Sequence, residues 1–173
     1  RTQETSVPRL KVEDLVSLSG ASEQERRNMA RLAAGDVIQM RRMVQGEGDE
    51  LREECFDLFC RLMRLSYMRR IKEMRLWSEE VSEMGRESQK RLLEYCQRLI
   101  RENFMYNFCQ KELVYETTEE AAFSTNFARF VNEKNVIPIM EELSLCQRDI
   151  EQNVNPRMVF FDFALKMIVL LIQ

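Results

Sequence analysis

The stretch Asp49-Glu50-Leu51-Arg52-Glu53-Glu54-Cys55-Phe56-Asp57-Leu58-Phe59-Cys60-Arg61-Leu62-Met63-Arg64-Leu65 places Leu51, Cys55, Leu58, Leu62 and Leu65 at alternating steps of four and three. That spacing follows one face of a packed α-helix. Ile71, Met74, Trp77, Val81 and Met84 continue a similar stripe as far as Gly85. The two stripes predict separate antiparallel helices, with the break near Ser66, whose hydroxyl suits an N-cap. Downstream, Leu92, Cys96, Leu99 and Asn103 predict a helix from about Glu87 to Phe108. Thr117-x-x-Glu120 is a capping box that should open a helix carrying Phe123, Phe127 and Phe130 on one side. Asn135 is expected to open the next, through Met140, Leu143, Cys146 and Ile150. Asn155 then serves as N-cap with Pro156 at the first helical position, launching a terminal apolar helix.

Composition points the same way. Of 173 residues, 45% are hydrophobic, enough for one or two packed cores, while five Gly and three Pro leave little turn chemistry for a many-stranded sheet. The expected class is all-α. The chain has no His, which excludes Ser-His-Asp and Cys-His catalysis, a histidine base near neutral pH and His-ligated metal. Cys55, Cys60, Cys96, Cys109 and Cys146 are scattered without a C-x-x-C pair, so they read as small core residues of a reducing cytoplasm rather than a disulfide framework or zinc knuckle. A net charge of −3 argues against a broadly basic nucleic-acid binder.

Upstream of the opening stretch the signals are shorter. Pro8 stops any early helix, and residues 11–19 carry Val12, Leu15, Val16 and Leu18 at helical spacing. Ser22-x-x-Glu25 is a capping box for a helix through Met29, Leu32 and Ala33 that Gly35 ends, and Asp36 caps a third helix through Val44. The glycines in Gln45-Gly46-Glu47-Gly48 mark residues 46–48 as a hinge between residues 1–45 and residues 49–173. Eight basic and six acidic groups precede residue 46, against 18 and 23 after it, so the first part is mildly positive and the second negative. The N-terminus, Arg1-Thr2-Gln3-Glu4, lacks the apolar core of a signal peptide, and the missing initiator Met suggests a fragment.

No glycine-rich phosphate loop is present. Arg61-Leu62-Met63-Arg64 and Met68-Arg69-Arg70 hold clustered guanidinium groups, and the second could bind phosphate; a solvated face balanced by Glu73, Glu79 and Glu80 is the plainer reading. The acid pairs Glu119-Glu120 and Glu141-Glu142 sit on consecutive residues, which point different ways round a helix and read as charged surface. Residues 158–172 are shorter than a bilayer span and include Asp162 and Lys166. Apolar side chains surround this segment almost completely, a pattern expected when both faces of a helix are covered. One face would meet the domain core and the other a partner, for which Phe161, Ile168 and Ile172 are the candidates.

Certain residues carry more than class. Arg1-Thr2-Gln3, Val7-Pro8-x-Leu10, three helical patterns and Ala33-Ala34-Gly35-Asp36 resemble the passage from the first module of an AAA+ clamp-loader subunit into its helical lid. Asp149-Ile150-Glu151-x-Asn153-x-Asn155-Pro156, followed by Phe163-x-Leu165-Lys166, is similar to the last collar helices of clamp-loader subunits of bacterial DNA polymerase III, in their delta prime branch. Gly85-Arg86-Glu87-x-Gln89-Lys90 and Arg101-Glu102-Asn103 resemble the same branch. The resemblance covers essentially the whole chain and rests on order and spacing.

It implies a three-helix lid followed by a collar of about five to six helices, and a non-catalytic stator in a hetero-pentamer that loads a sliding clamp onto primed DNA. Contact with clamp and DNA would be indirect, no cofactor would be held, and no membrane would be involved. Ile38 falls where ATP-hydrolysing members have a sensing arginine, and an aliphatic side chain cannot compensate phosphate charge. Arg1 falls on the arginine finger of the family's Ser-Arg-Cys motif, with Thr2 in place of the cysteine, and would act in trans on a neighbour's nucleotide in the intact subunit. Composition and periodicity alone equally suit a helical adaptor that binds partner helices and has no part in replication.

Overall fold

The structure is a computed structural model and describes Met29, Ala30, Ala33, Val37, residues 49–107, residue 114 and residues 116–172. Among the described residues the chain is helical, with no strand. It divides into two compact units, residues 1–49 with 115–121, and residues 50–114 with 122–173.

In the first unit Met29, Ala30, Ala33 and Val37 are helical, and Ala30 and Ala33 are buried with Met29 and Val37 packed against them. The capping box at residues 117–120 is closed from both sides: the Glu120 carboxylate accepts from Thr117 N–H at 2.9 Å, and the Thr117 hydroxyl accepts from Glu120 N–H at 3.2 Å. Two donors that the first helical turn cannot use are thereby satisfied. The capping box at Ser22, the stop at Gly35, the cap at Asp36 and the hinge at 46–48 lie outside the described residues.

The elements from Asp49 onward are α1 (Asp49–Met68), α2 (Ile71–Glu83), α3 (Arg86–Tyr106), α4 (Thr118–Phe127), a 3-10 turn (Ala128–Phe130), α5 (Val136–Glu151) and α6 (Pro156–Leu170). The stripe that decides α1 faces inward as expected: Cys55, Leu58 and Leu62 are buried, and Leu51 and Leu65 pack against the core. α6 packs most extensively against α2 and also against α5, and α5 packs against α3. The core holds Trp77 of α2 edge-on to Phe160 of α6, centroids 6.1 Å apart. A second aromatic group joins Phe59 of α1 to Phe123 and Phe127 of α4 at 5.9 and 5.7 Å. Such edge-to-face pairs add about 0.5–1.5 kcal/mol each beyond the area they bury.

The break between α1 and α2 differs from the expectation. Ser66 is not an N-cap; it is fully buried inside α1, and its hydroxyl has no hydrogen-bond partner. The helix runs on to Met68 and is stopped by Arg69, whose φ of 55° is left-handed. Arg69 N–H then donates to Ser66 O at 3.2 Å and Arg70 N–H to Leu65 O at 3.0 Å, returning the chain onto the last turn. Ser66 cannot cap α2 because its side chain lies on the face that α1 buries.

Several polar residues tie helix ends together. The Gln89 amide donates to Val81 O, Ser82 O and Met84 O at 3.1, 3.2 and 2.8 Å, closing the end of α2 from the start of α3. Arg86 donates to Ile150 O at 2.8 Å, which binds the start of α3 to the end of α5. Asn135 precedes α5 as expected, yet its side chain does not cap that helix; its amide donates to Phe130 O at 2.8 Å and Leu170 O at 3.0 Å, while its oxygen accepts from Asn132 N–H at 2.8 Å. At α6 the expected cap is present: Asn155 Oδ1 accepts from Arg157 N–H at 3.0 Å, with Pro156 next.

Candidate functional site

α6 presents four residues on one meridian at steps of four and three, Met158, Asp162, Leu165 and Val169, and Ile172 follows in the turn after the helix. Met158, Val169 and Ile172 are 70%, 60% and 58% exposed, and Leu165 is half-buried. The remaining faces carry Val159, Phe160, Phe163, Ala164 and Met167, all buried against the rest of the unit. The helix is therefore apolar on most sides, and its water-facing side is apolar apart from Asp162.

The five sequence-derived site residues separate on this geometry. Ile172 is exposed, in the turn that follows α6. Phe161 and Ile168 are not: both are half-buried and pack against the core, because they fall on the flanks of the helix rather than on its outward meridian. Arg1 and Ile38 lie outside the described residues. Met158 and Val169 were not among the candidates, although a signal for them was present. Asp162 is the only acid in the apolar run, and the side of a buried helix that carries its acid faces water. Met158, Leu165 and Val169 share that side.

Lys166, one turn beyond Asp162, bridges Asp162 and Glu142 of α5, both at 2.8 Å. The hydrogen bond to Asp162, followed by that to Glu142, raises its ammonium above the ordinary lysine range. This bridge orients the open face of α6 relative to α5.

Where α6 begins, a groove forms with the start of α2. Ile71 and Met158 line it with Phe161, and Lys72, Arg75 and Arg157 surround them. Arg75 and Arg157 share the carboxylate of Glu79, whereas Lys72 forms no ion pair among the described residues. The groove thus has an apolar floor and an excess of positive charge at its rim.

The arginine cluster singled out in the sequence is distributed rather than gathered. Arg61 binds Glu80 of α2 through two hydrogen bonds, both 2.8 Å, and also lies 3.5 Å from Asp57. Arg70 pairs with Glu73 at 3.6 Å, and Arg69 is the left-handed stop. Glu119 and Glu141 are exposed, Glu120 closes the capping box and Glu142 meets Lys166, so neither acid pair acts together. Cys55, Cys96 and Cys146 are buried. Burial pushes the Cys55 thiol up to about 11 and the Cys146 thiol up to about 12, and raises Cys96 as well, which keeps all three protonated at neutral pH. Among the described residues no group of His, Cys, Asp or Glu could hold a metal ion, and no helix is long and apolar enough to cross a membrane. The chain matches no protein-family model, no curated protein and no solved structure.

Proposed function

We propose that this chain is the lid and collar region of a non-catalytic clamp-loader subunit of the delta prime type, a cytoplasmic stator that joins other subunits into a ring-loading machine. The observation that carries the reading is the open apolar face of α6. A helix packed against α2 and α5 would ordinarily turn charged residues to water on its remaining side. Here that side shows Met158, Val169 and, just past the helix, Ile172 around a single acid, Asp162, and exposed apolar surface of this kind marks interaction sites. The order and spacing of the motifs that resemble the family, from Arg1-Thr2-Gln3 to Phe163-x-Leu165-Lys166, supply the identity of the partners. In this reading Arg1 is a finger directed at a neighbour's nucleotide and Ile38 leaves this subunit without a γ-phosphate sensor.

The test is reconstitution of the intact subunit with its candidate partners, using Val169→Glu and Met158→Glu. Both positions are exposed, so each variant should keep the helical circular dichroism of the wild type. Each should nevertheless fail to join the complex, because a carboxylate would be buried unpaired at the contact. Assembly and clamp loading at wild-type levels in both variants would remove α6 as the assembly surface. Failure of the wild-type subunit to assemble with any clamp-loader partner would remove the reading itself.

The groove at Ile71 and Met158 favours a second reading, a helical adaptor. Its apolar floor and its Lys72, Arg75 and Arg157 rim are complementary to an amphipathic helix with acidic flanks. Under that reading Lys72→Glu would abolish partner binding while Val169→Glu would not.

A further inference from the structure

The second half of α1, α4 and the 3-10 turn, with Leu171 after α6, line an open cavity of about 280 Å³. Phe123, Phe127 and Phe130 form its apolar wall with Tyr67, while Arg64 and Arg129 also line it and no acidic side chain does. The aromatic groups are mutually packed: Phe123 and Phe127 lie 4.9 Å apart, and Tyr67 leans on Phe130 at 5.3 Å. They form a preorganised surface suited to a flat apolar body.

The two arginines, like Arg69, lack among the described residues the carboxylate partners that other arginines nearby have. Arg61, one turn before Arg64, is bidentate to Glu80, and Arg70, Arg75 and Arg157 each reach a carboxylate. Arg64 and Arg129 are exposed and form no ion pair or hydrogen bond among the described residues. Arg129 is nonetheless held in place, because its guanidinium carbon lies 4.9 Å over the centre of the Phe130 ring. Stacking occupies the face of a guanidinium and leaves its N–H edge open, and that edge matches a carboxylate bidentately. An apolar aromatic cavity with a few convergent polar groups is the ordinary form of a small-molecule site, and this one lies just below the usual range of about 300–1,000 Å³.

We infer that this cavity binds a small aromatic monocarboxylate, with the ring system against Phe123, Phe127 and Phe130 and the carboxylate between Arg64 and Arg129. The inference is independent of the assembly reading, since none of these five residues belongs to α6.

The test is a calorimetric titration of the full chain with 2-naphthoate at low salt, with naphthalene-2-carboxamide as its uncharged counterpart. A ligand of this size should bind with a dissociation constant of about 0.1–1 mM. The carboxamide should bind about tenfold more weakly, because hydrogen bonds to charged groups contribute about 1.5–3 kcal/mol. The double variant Arg64→Gln with Arg129→Gln should bind both compounds alike, at the carboxamide's wild-type affinity. Arg69→Gln, an exposed arginine outside the cavity, should leave naphthoate binding unchanged. Both substituted arginines are on the surface, and unchanged circular dichroism confirms the fold in each variant. No saturable naphthoate binding would overturn the assignment. So would equal affinity for the two compounds, which would make the cavity a slot for an apolar side chain of a protein partner, or wild-type affinity in the double variant.

Discussion

The junctions between α1 and α2 and between α5 and α6 end their first helix in the same way and begin their second in different ways. At each, one residue turns left-handed, Arg69 at φ 55° and Asn153 at φ 65°. The N–H pairs that return to the preceding turn match closely, 3.2 and 3.0 Å in both. After the stop they diverge. α6 starts with a side-chain cap from Asn155 and a proline, whereas α2 starts at Arg70 with no side-chain cap. The first junction is held from a distance instead, by Trp77 Nε1 donating to Leu58 O at 3.0 Å and by the Arg61–Glu80 pair. One junction is encoded locally and the other by packing, so they should fail under different substitutions.

The largest effect is expected at Trp77. It is fully buried, and Trp77→Ala removes its core volume together with the bond to Leu58, costing about 3–5 kcal/mol in urea denaturation followed by circular dichroism. Trp77→Phe keeps most of the volume, and the lost hydrogen bond should cost about 1 kcal/mol on top of the smaller cavity. At the locally encoded junction Asn155→Ala should cost about 1 kcal/mol, the usual value of an N-cap. A cost at Asn155 equal to that at Trp77 would break the comparison.

The left-handed stops sharpen it. An arginine there is strained by its Cβ, while asparagine visits this conformation readily. Arg69→Gly should therefore stabilise the chain by about 0.5–1 kcal/mol, the steric relief exceeding the entropy that glycine loses on folding. Asn153→Gly, at the same backbone geometry, should change stability by no more than a few tenths of a kcal/mol. Equal gains at both positions would mean that the strain does not depend on the side chain.

The same division explains what could be read before the structure. The α1 stripe, the capping box at Thr117 and Glu120, and Asn155-Pro156 are periodicities or caps complete within a few residues, and each appears where expected. The stop at Arg69 was hidden because arginine is no signal for a left-handed turn, while Ser66 offered a plausible local cap that burial overrides. The open face of α6 was blurred by apolar residues on every side, with Asp162 its only marker. The aromatic cavity joins α1, α4 and the 3-10 turn across more than sixty residues of sequence, so no local pattern contains it. Asn135 shows the intermediate case: its position before α5 was legible, but its bonds to Phe130 and Leu170 depend on tertiary neighbours.

The smallest expected effect separates the ion pair at the first junction from the Lys166 bridge by pH. Two hydrogen bonds from Arg61 hold the Glu80 carboxyl below the usual carboxylate range. A group whose value is lowered on folding contributes stability above its unfolded value and loses it as the pH falls through the folded one. The Arg61–Glu80 contribution should thus be complete at neutral pH and fade in acid. Lys166, which ties α6 to α5 well away from the second junction, is raised by Asp162 and Glu142, so its contribution is complete below the ordinary lysine range and fades as the pH rises above it. The side chains of Arg61 and Glu80 are 40% and 50% exposed, which limits their pair to about 0.5 kcal/mol and makes it sensitive to salt. Denaturation beside the wild type, of Glu80→Gln from pH 7 down to pH 3 and of Lys166→Gln from pH 7 up to pH 12, should therefore show opposite trends. The Glu80→Gln deficit should shrink as the pH falls below neutral, and the Lys166→Gln deficit should shrink as the pH rises above the ordinary lysine range. If both deficits follow pH in the same direction, the two ion pairs are not acting through the groups that the geometry assigns to them.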